Sequence, residues 1–558
     1  MKKNKKKSSS SVTPPEEKGA VTQEMDAVME AASEDTAEIG IILDSQNPVS
    51  QNPDSQNPVS QNTDSAEAVS QETVSQETPP EIPTEEPENA PKTVSESTDP
   101  TAEEIPQEKI PQPVDENPAE DTSASDETLA EDISTEDTSE EEPSEPDESA
   151  DTADTPASGE PAGYKKLGLY LHIPFCKSKC AYCDFYSTDK IVCTGHKVPE
   201  EMKLYANALK NHMRILSERT TQYNVDTVFI GGGTPTALPA KLLLDIVKEV
   251  ERCFYLEDGY EFTVEMNPAT ADAKLLKKLR RAGVNRLSIG LQSSHNHELA
   301  ALSRIHSTGD FTECFQMARE AGFDNINVDV MYGIPEQTKD TFMETLSFVA
   351  AMKPEHISMY NLRIEDGTPF GEKKHMLPLP DEDTECDMYF DGIEYLSSQG
   401  YKQYEISNFA REGKECRHNL RYWHGEEYLG CGPAAHSYFG GTRFSLKRSL
   451  AQYCKALEVK GKSLPSSLLD ENYPIDKKEE IAEYLMLRLR LSEGISTDDF
   501  KARFGGDFDA VFGKKLQFYI DNGFMTHENG RYAFTPQGMF VSNHILARII
   551  PFEPKFKG

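Results

Sequence analysis

The first 163 residues contain no Phe, Tyr or Trp, the side chains that contribute most apolar area to a protein core. Residues 1–160 carry 42 acidic and only 8 basic side chains, so they hold −34 of the net charge of −39. A five-residue repeat beginning at Ser45 makes this segment low in complexity, and it does not indicate a solenoid of packed repeats. Because such a segment buries too little apolar surface to offset the entropy lost on ordering, we predict a disordered acidic tail over residues 1–162.

The sequence also lacks any run of eighteen apolar residues, so we predict no transmembrane segment. The Lys-rich N-terminus is followed by polar residues instead of an apolar segment, which argues against a secretory signal. Ten cysteines, three of them clustered, favour a reducing compartment, and we predict a cytoplasmic protein. The negative charge argues against nonspecific nucleic-acid binding.

Three cysteines stand close together at a C-x3-C-x2-C spacing: Cys176, Cys180 and Cys183. A [4Fe-4S] cluster normally takes four Cys ligands, so three leave one iron open to another ligand, as a reactive metal site requires. A zinc site is the alternative, but it needs a second pair of ligands, and no second C-x2-C pair exists. The spacing therefore predicts an open [4Fe-4S] cluster.

From Leu167 onward, β-rich apolar runs alternate with helical patterns, which predicts an α/β fold with a part-open (βα)6 barrel. The predicted strands are Leu167–Ile173, Asp226–Ile230, Glu261–Met266, Arg286–Leu291, Asn325–Met331 and His356–Leu362. The predicted helices are Glu200–Ser217, Ala240–Cys253, Ala271–Ala282, Phe311–Ala321 and Thr338–Met352. We place the barrel at residues 163–375 and an α+β C-terminal domain at 376–558. Within that domain, Tyr401–Arg443 is predicted to be rich in loops, and the end from Lys477 to be winged-helix-like and used for packing or partner contact.

Unusual residues fall at the ends of the predicted strands. Gly231–Gly233 follow the second strand, Glu265 closes the third, Gln292 closes the fourth and Asp329 lies late in the fifth. Because barrel active sites form at the carboxyl ends of the strands, we expect these residues to converge beside the cysteines. Taken singly, a tight turn explains the glycines and a solvated carboxylate explains Glu265 equally well.

These motifs together resemble the oxygen-independent coproporphyrinogen III oxidase group of the radical S-adenosylmethionine (SAM) proteins. The shared segments are Tyr-x-His-Ile-Pro-Phe-Cys, Gly-Gly-Gly-Thr-Pro, Glu-x-Asn-Pro, Ser-Ile-Gly-Leu-Gln-Ser, Arg-Ile-His and Asn-x-Asp-x-Met-Tyr-Gly-Ile-Pro. The resemblance implies a [4Fe-4S] cluster on Cys176, Cys180 and Cys183, with SAM as a second cofactor. By residue match, it implies SAM binding by Tyr170, Gly232, Gly233, Thr234, Glu265, Gln292, Arg304 and Asp329.

Two features separate this chain from the oxidases. The oxidases carry a further Cys two residues after the last cluster ligand, and here that position is Phe185. Residues 418–423 read His-Asn-Leu-Arg-Tyr-Trp, similar to the H-N-x-x-Y-W motif of the HemW haem chaperones, and contain the chain's only Trp. This similarity implies haem binding by His418, Asn419, Tyr422 and Trp423, since imidazole ligates haem iron and aromatic rings pack on the macrocycle. A purely structural His418 is the alternative, and His436 and Cys416 are rival ligands.

The resemblance therefore implies a haem chaperone that passes haem to acceptor haemoproteins, with respiratory enzymes among the candidates. A homodimer is compatible with the sequence. Two enzymatic alternatives stay open: oxidative decarboxylation of coproporphyrinogen III, and modification of haem by radical SAM chemistry.

Overall fold

The computed structural model describes residues 164–195 and 197–550. The predicted disordered tail, residues 1–162, lies outside these residues. None of the described helices has the length and apolar content that a bilayer crossing requires.

Six strands alternate with helices along the first half of the described chain, as predicted, and each pairs in parallel with the next. They are β1 Lys165–Ile173, β2 Tyr223–Gly232, β3 Leu256–Met266, β4 Arg286–Gln292, β5 Ile326–Tyr332 and β6 His356–Asn361. Alternate side chains of a strand point to opposite faces, so Leu169 and Leu171 of β1 pack into the main core. Tyr170 and His172 therefore point to the opposite face, which we call the inner face.

Helices on the outer side of the sheet connect these strands. They are α1 Glu200–Ser217, α2 Ala240–Cys253, α3 Ala273–Arg281, α4 Asn296–Ala301, α5 Thr308–Glu320 and α6 Lys339–Ala351. The first two have the predicted bounds, and α3, α5 and α6 begin and end within three residues of theirs. Local chemistry sets some of these ends: a capping box opens α5, where the Ser307 hydroxyl accepts from the Asp310 N–H and the Asp310 carboxylate accepts from the Ser307 N–H.

The sheet continues past both edges of the six-stranded unit and does not close on itself. The following elements are α7 Pro369–Glu372, α8 Glu382–Ser398, β7 Lys402–Gln403, β8 Asn408–Ala410, α9 Arg417–Trp423, β9 Tyr428–Cys431, β10 His436–Phe439, β11 Thr442–Leu446, α10 Leu450–Ala456 and β12 Leu469–Pro474. Strand β9 lies parallel to β1, while β8 lies antiparallel to β6. The strand order β12-β11-β10-β9-β1-β2-β3-β4-β5-β6-β8-β7 makes the barrel part-open, as predicted.

The segment Tyr401–Arg443, predicted to be rich in loops, has about half of its residues outside helices and strands, and it also contains helix α9, the short strands β7 to β10 and the start of β11. Strands of two to four residues and a helix of seven are too short to leave a periodic pattern in the sequence. The predicted domain boundary at residues 375/376 stays a prediction; the main core includes residues on both sides of it, among them Met359 and Met388.

The C-terminal end forms a second core with the predicted winged-helix-like order. Its elements are α11 Lys477–Arg488, β13 Ile495–Ser496, α12 Thr497–Phe504, α13 Lys514–Asp521, β14 Met525–Glu528, β15 Arg531–Phe534, α14 Pro536–Phe540 and α15 Ser542–Ile549. The three strands form a separate small sheet in the order β13-β15-β14. Buried aromatic rings such as Phe500, Phe508 and Phe512 stabilise this unit.

Candidate functional site

The three clustered cysteines lie on the loop that follows β1, at the carboxyl end of the six-stranded unit. All three are free thiols and partly accessible. Backbone bonds from Cys176 N–H to Thr188 and from Cys183 N–H to Cys180, at 3.0 and 3.2 Å, hold the loop in shape. Side chains from other elements reach two of the sulfurs: the Thr234 hydroxyl lies 3.6 Å from Cys176 Sγ, and Arg304 Nη1 lies 3.7 Å from Cys180 Sγ.

The electrostatics of this loop fit a thiolate-bound metal cluster. Burial, with smaller contributions from the nearby Cys180 and Cys176, raises the pKa of Cys183 to about 11. The thiols therefore need a cationic partner to ionise at neutral pH, and bound iron supplies one. Among the described residues, no three His, Cys, Asp or Glu side chains are arranged around a single ion. A cubane cluster does not need that arrangement, because each Cys binds a different iron.

The glycines at the end of β2 allow two side chains to approach the backbone closely. A Cβ on Gly231 would lie 2.7 Å from the Glu265 carboxylate, and one on Gly232 would lie 2.5 Å from the His172 ring. Gly232 also has a φ of +102°, which residues with a side chain rarely adopt. Its N–H donates to Glu265 at 3.1 Å. These close contacts require glycine at positions 231 and 232. A tight turn alone would not account for this requirement.

Glu265 lies in a desolvated position on the inner face. Burial, together with the nearby Asp329 carboxyl, raises the pKa of Glu265 to about 8. Burial also raises the pKa of Asp329, although Asn327 donates to its carboxylate at 2.7 Å. Two neighbouring carboxyls with raised pKa values are suited to a ligand that carries amino and hydroxyl groups.

A polar network joins the remaining strand-end residues to the cysteine loop. Asn267 donates to Thr234 at 2.8 Å and accepts from Arg304 at 2.7 Å. Arg304 also donates to the Gly290 carbonyl at 2.5 Å. Gln292 has a φ of +76° at the end of β4, and its amide and the Arg304 guanidinium both lie 3.0 Å from where a Cβ on Gly290 would be. Thr234, Asn267, Arg304 and Cys180 line one pocket.

The structure thus brings Thr234 and Arg304 into contact with cysteine sulfurs, and Gly232 into contact with Glu265. The sequence shows Asn267 only as part of the Glu-x-Asn-Pro segment, and its bridging position between Thr234 and Arg304 appears only in three dimensions. The Glu-x-Asn-Pro pattern was the signal that pointed to it.

Helix α9, which carries the His-Asn-Leu-Arg-Tyr-Trp segment, packs on the inner face of β1–β3. The carboxylate of Glu261 on β3 accepts from the backbone N–H groups of Arg417 and His418, at 3.0 and 3.1 Å, and so caps the helix. The Arg421 guanidinium pairs with Asp226 and passes over Gly168, where a Cβ would lie 2.5 Å from its side chain.

His418 is 1% exposed, and both of its ring nitrogens are hydrogen-bonded. Nδ1 lies 3.0 Å from the Thr227 hydroxyl and Nε2 lies 2.8 Å from the Tyr422 hydroxyl. Burial lowers the pKa of His418 to about 3, so the imidazole is neutral at physiological pH.

The other members of the segment and the rival ligands differ in their surroundings and in their exposure. Trp423 lines a different pocket, next to Tyr484 and Arg503 of the C-terminal unit. Asn419 is half-buried. Cys416 is fully buried with its sulfur 3.5 Å from Glu261, whereas His436 is exposed on β10. The pocket lined by Trp423 therefore does not include His418, Asn419 or Tyr422.

Comparison with known proteins supports the family indicated by these motifs. The radical SAM superfamily model matches residues 170–349, and the HemN C-terminal domain model matches residues 475–541. The chain is 35% identical to "Heme chaperone HemW" of Bacillus subtilis over 384 residues, which is 68% of this chain and 98% of that protein. It is 33% identical to the Escherichia coli protein of the same name over 382 residues, 68% of this chain and 97% of that protein.

Among solved structures, the coproporphyrinogen III oxidase HemN from Escherichia coli, described as a radical SAM enzyme, matches with a TM-score of 0.60 and 22% identity. The match covers 69% of this chain and 90% of that one, and it supports the fold alone. The radical SAM fold implies a [4Fe-4S] cluster and SAM as cofactors. The chain belongs to the HemW family of radical SAM proteins.

Proposed function

We propose that this protein is a haem chaperone, which binds haem and transfers it to acceptor haemoproteins. The observation that carries the proposal is the similarity to curated heme chaperones over almost their whole length. Respiratory enzymes in a cytoplasm-facing position are suitable acceptors, and a homodimer is compatible with this role.

The cofactor residues form part of the same proposal. Cys176, Cys180 and Cys183 hold the [4Fe-4S] cluster, whose fourth iron is open to the amino and carboxylate groups of SAM. The SAM residues are Tyr170, Gly232, Gly233, Thr234, Glu265, Gln292, Arg304 and Asp329. In this arrangement the Glu265 carboxylate accepts a hydrogen bond from the amino group of SAM, and the Asp329 carboxylate accepts from its ribose hydroxyls. Arg304 orients Thr234 through their shared partner Asn267.

Haem is assigned to His418, with Asn419, Tyr422 and Trp423 as further contacts. Since Nε2 of His418 is bonded to Tyr422 at 2.8 Å, iron coordination replaces that hydrogen bond. Displacement of Tyr422 is the local rearrangement that this assignment requires.

Product analysis under strict anoxia tests the chaperone function against both enzymatic alternatives. We expect the reduced, SAM-supplied protein to bind haem and to leave both coproporphyrinogen III and haem chemically unchanged. Phe185 occupies the position of the oxidases' extra thiol, is 69% exposed, and has no sulfur with which to perform redox or ligand chemistry. Formation of protoporphyrinogen in proportion to protein would place the chain among the oxidases, and a modified haem would favour the third function.

The raised pKa of Glu265 gives a second expectation, for SAM binding. Below pH 8 the Glu265 carboxyl is mostly protonated and has lost the negative charge that strengthens its hydrogen bond with an amino group. We therefore expect the SAM dissociation constant of the cluster-loaded protein to fall by up to about tenfold per pH unit from pH 6 towards 8, and to level off above it.

The matched control is Glu265→Gln, in which the acceptor does not titrate. SAM's own groups titrate identically in both proteins, so the difference between the two pH slopes isolates Glu265. Equal slopes in both proteins would contradict the assignment of Glu265 to the amino group.

A further inference from the structure

A row of five aromatic rings connects helix α9 with the cysteine loop. We call it the ring row: His418, Phe229, Tyr170, His172 and Tyr186. The ring centroids of successive members lie 5.4, 6.3, 6.0 and 6.2 Å apart. Tyr186 follows Cys183 by three residues, so the row ends on the loop that holds the cluster.

Hydrogen bonds fix the half of the row nearest the cluster. His172 Nε2 lies 2.8 Å from the Tyr186 carbonyl, and Nδ1 lies 3.0 Å from the Tyr170 hydroxyl. Because a carbonyl only accepts, Nε2 carries the proton and Nδ1 accepts from Tyr170. The oxygen lone pairs of Tyr170 are then free to accept from a ligand on the inner face.

Phe229 is the member that joins α9 to this hydrogen-bonded half. Its ring stacks on His418 with an interplanar angle of 24° and on Tyr170 with an angle of 30°. Unlike the neighbouring core residues Val228 and Ile230, which are fully buried, Phe229 is only half-buried on the inner face. The Phe229 ring therefore contributes less to core packing than to the contact between helix α9 and Tyr170 of β1.

We propose that Phe229 is a positioning residue that couples helix α9 to the SAM and cluster site through the ring row. A displacement of His418, for example one that frees its Nε2, moves the imidazole ring against which Phe229 stacks. Phe229 then shifts, and it moves Tyr170 with it. The inference uses the proposed SAM site but requires no haem.

The test measures SAM affinity without haem, from the change in the electron paramagnetic resonance spectrum of the reduced cluster as SAM is titrated. Phe229→Leu keeps an apolar side chain but removes the flat ring, and we expect it to weaken SAM binding by about fivefold to tenfold with unchanged iron content. Phe229→Tyr restores the ring and should bind SAM as the unchanged protein does. Should the Leu variant lose iron, Phe229→Met takes its place.

The control is Phe262→Leu on β3, which removes a fully buried ring from the outer core. It should lower the melting temperature but leave the SAM dissociation constant within about twofold, since Phe262 lies outside the ring row. A purely structural role for Phe229 predicts the same behaviour for both Leu variants.

Coupling is tested by a double-mutant cycle of Phe229→Leu and His418→Ala on SAM affinity. We expect the double variant to bind SAM no more weakly than the worse single variant, because both changes interrupt the same row. Additive effects, or unchanged SAM binding in Phe229→Leu, would overturn the inference. If the unchanged protein itself does not bind SAM, the proposed SAM site fails instead.

Discussion

Replacing any one of Cys176, Cys180 or Cys183 with Ala is expected to lower the bound iron from about four atoms per chain towards zero. A loop that supplies only three thiolates has no spare ligand within it, and the next Cys along the chain is Cys193, beyond the loop. The loss should be seen both in chemical iron analysis and in the absorbance of the anaerobically reconstituted protein.

Cys193→Ala is the matched control, because it removes a thiol that is close in sequence. The sequence predicts six further cysteines to be buried packing residues: Cys193, Cys253, Cys314, Cys386, Cys431 and Cys454. Cys253 and Cys454 are partly buried, but Cys193 is exposed, with its sulfur 3.8 Å from Met202 Sδ. Because an exposed thiol is accessible to iron, Cys193 is a more stringent control than a buried Cys would be. Iron loss in Cys193→Ala equal to that in the three ligand variants, or full iron content in any of those three, would contradict the ligand assignment.

His418→Ala is expected to abolish or displace the Soret band of the haem-bound protein while its iron–sulfur content is unchanged. In this assignment the imidazole would ligate the haem iron, and burial keeps the ring neutral at any physiological pH. The substitution leaves the Glu261 cap of α9 intact, because that cap binds backbone N–H groups. It removes the partner of Thr227, at a cost of about 1–3 kcal/mol, so folding is checked by circular dichroism.

The hydrogen bond between Tyr422 and His418 allows a second test of the haem ligand. Tyr422→Phe removes the hydroxyl that occupies Nε2 but keeps the ring that contacts His418. If iron takes the place of that hydroxyl, Tyr422→Phe should strengthen haem binding by about fivefold, corresponding to about 1 kcal/mol for one hydrogen bond.

Variants of the rival ligands complete the experiment. Cys416→Ala and His436→Ala should leave the haem spectrum nearly unchanged. Loss of the band only in His436→Ala would move the ligand to β10, where no hydrogen bond of α9 has to break, and would leave the chaperone proposal intact. Weak haem binding that no single substitution alters would favour the enzymatic functions.

Much of the barrel is predictable from local pattern. Helices α1 and α2 have the predicted bounds because each is long enough to show an amphipathic repeat, and β1–β6 are runs of β-rich apolar residues between turn signals. The rule that functional residues gather at the carboxyl ends of parallel strands then predicts that Thr234 and Glu265 lie near the cysteine loop, and the family resemblance adds Arg304. Contacts of Thr234 and Arg304 with cysteine sulfurs agree with this expectation.

By itself, the sequence determined the elements whose signal is local: the strand–helix alternation, the C-x3-C-x2-C loop and the family motifs. Only the tertiary structure decided where α9 lies, that β9 joins β1, and that His418 and Trp423 face different surroundings. These features depend on pairs such as Glu261 with His418 and Phe229 with His418, which are separated by more than 150 positions in the chain. No periodicity records such pairs, because they form only when the folded sheet presents its inner face to a later helix.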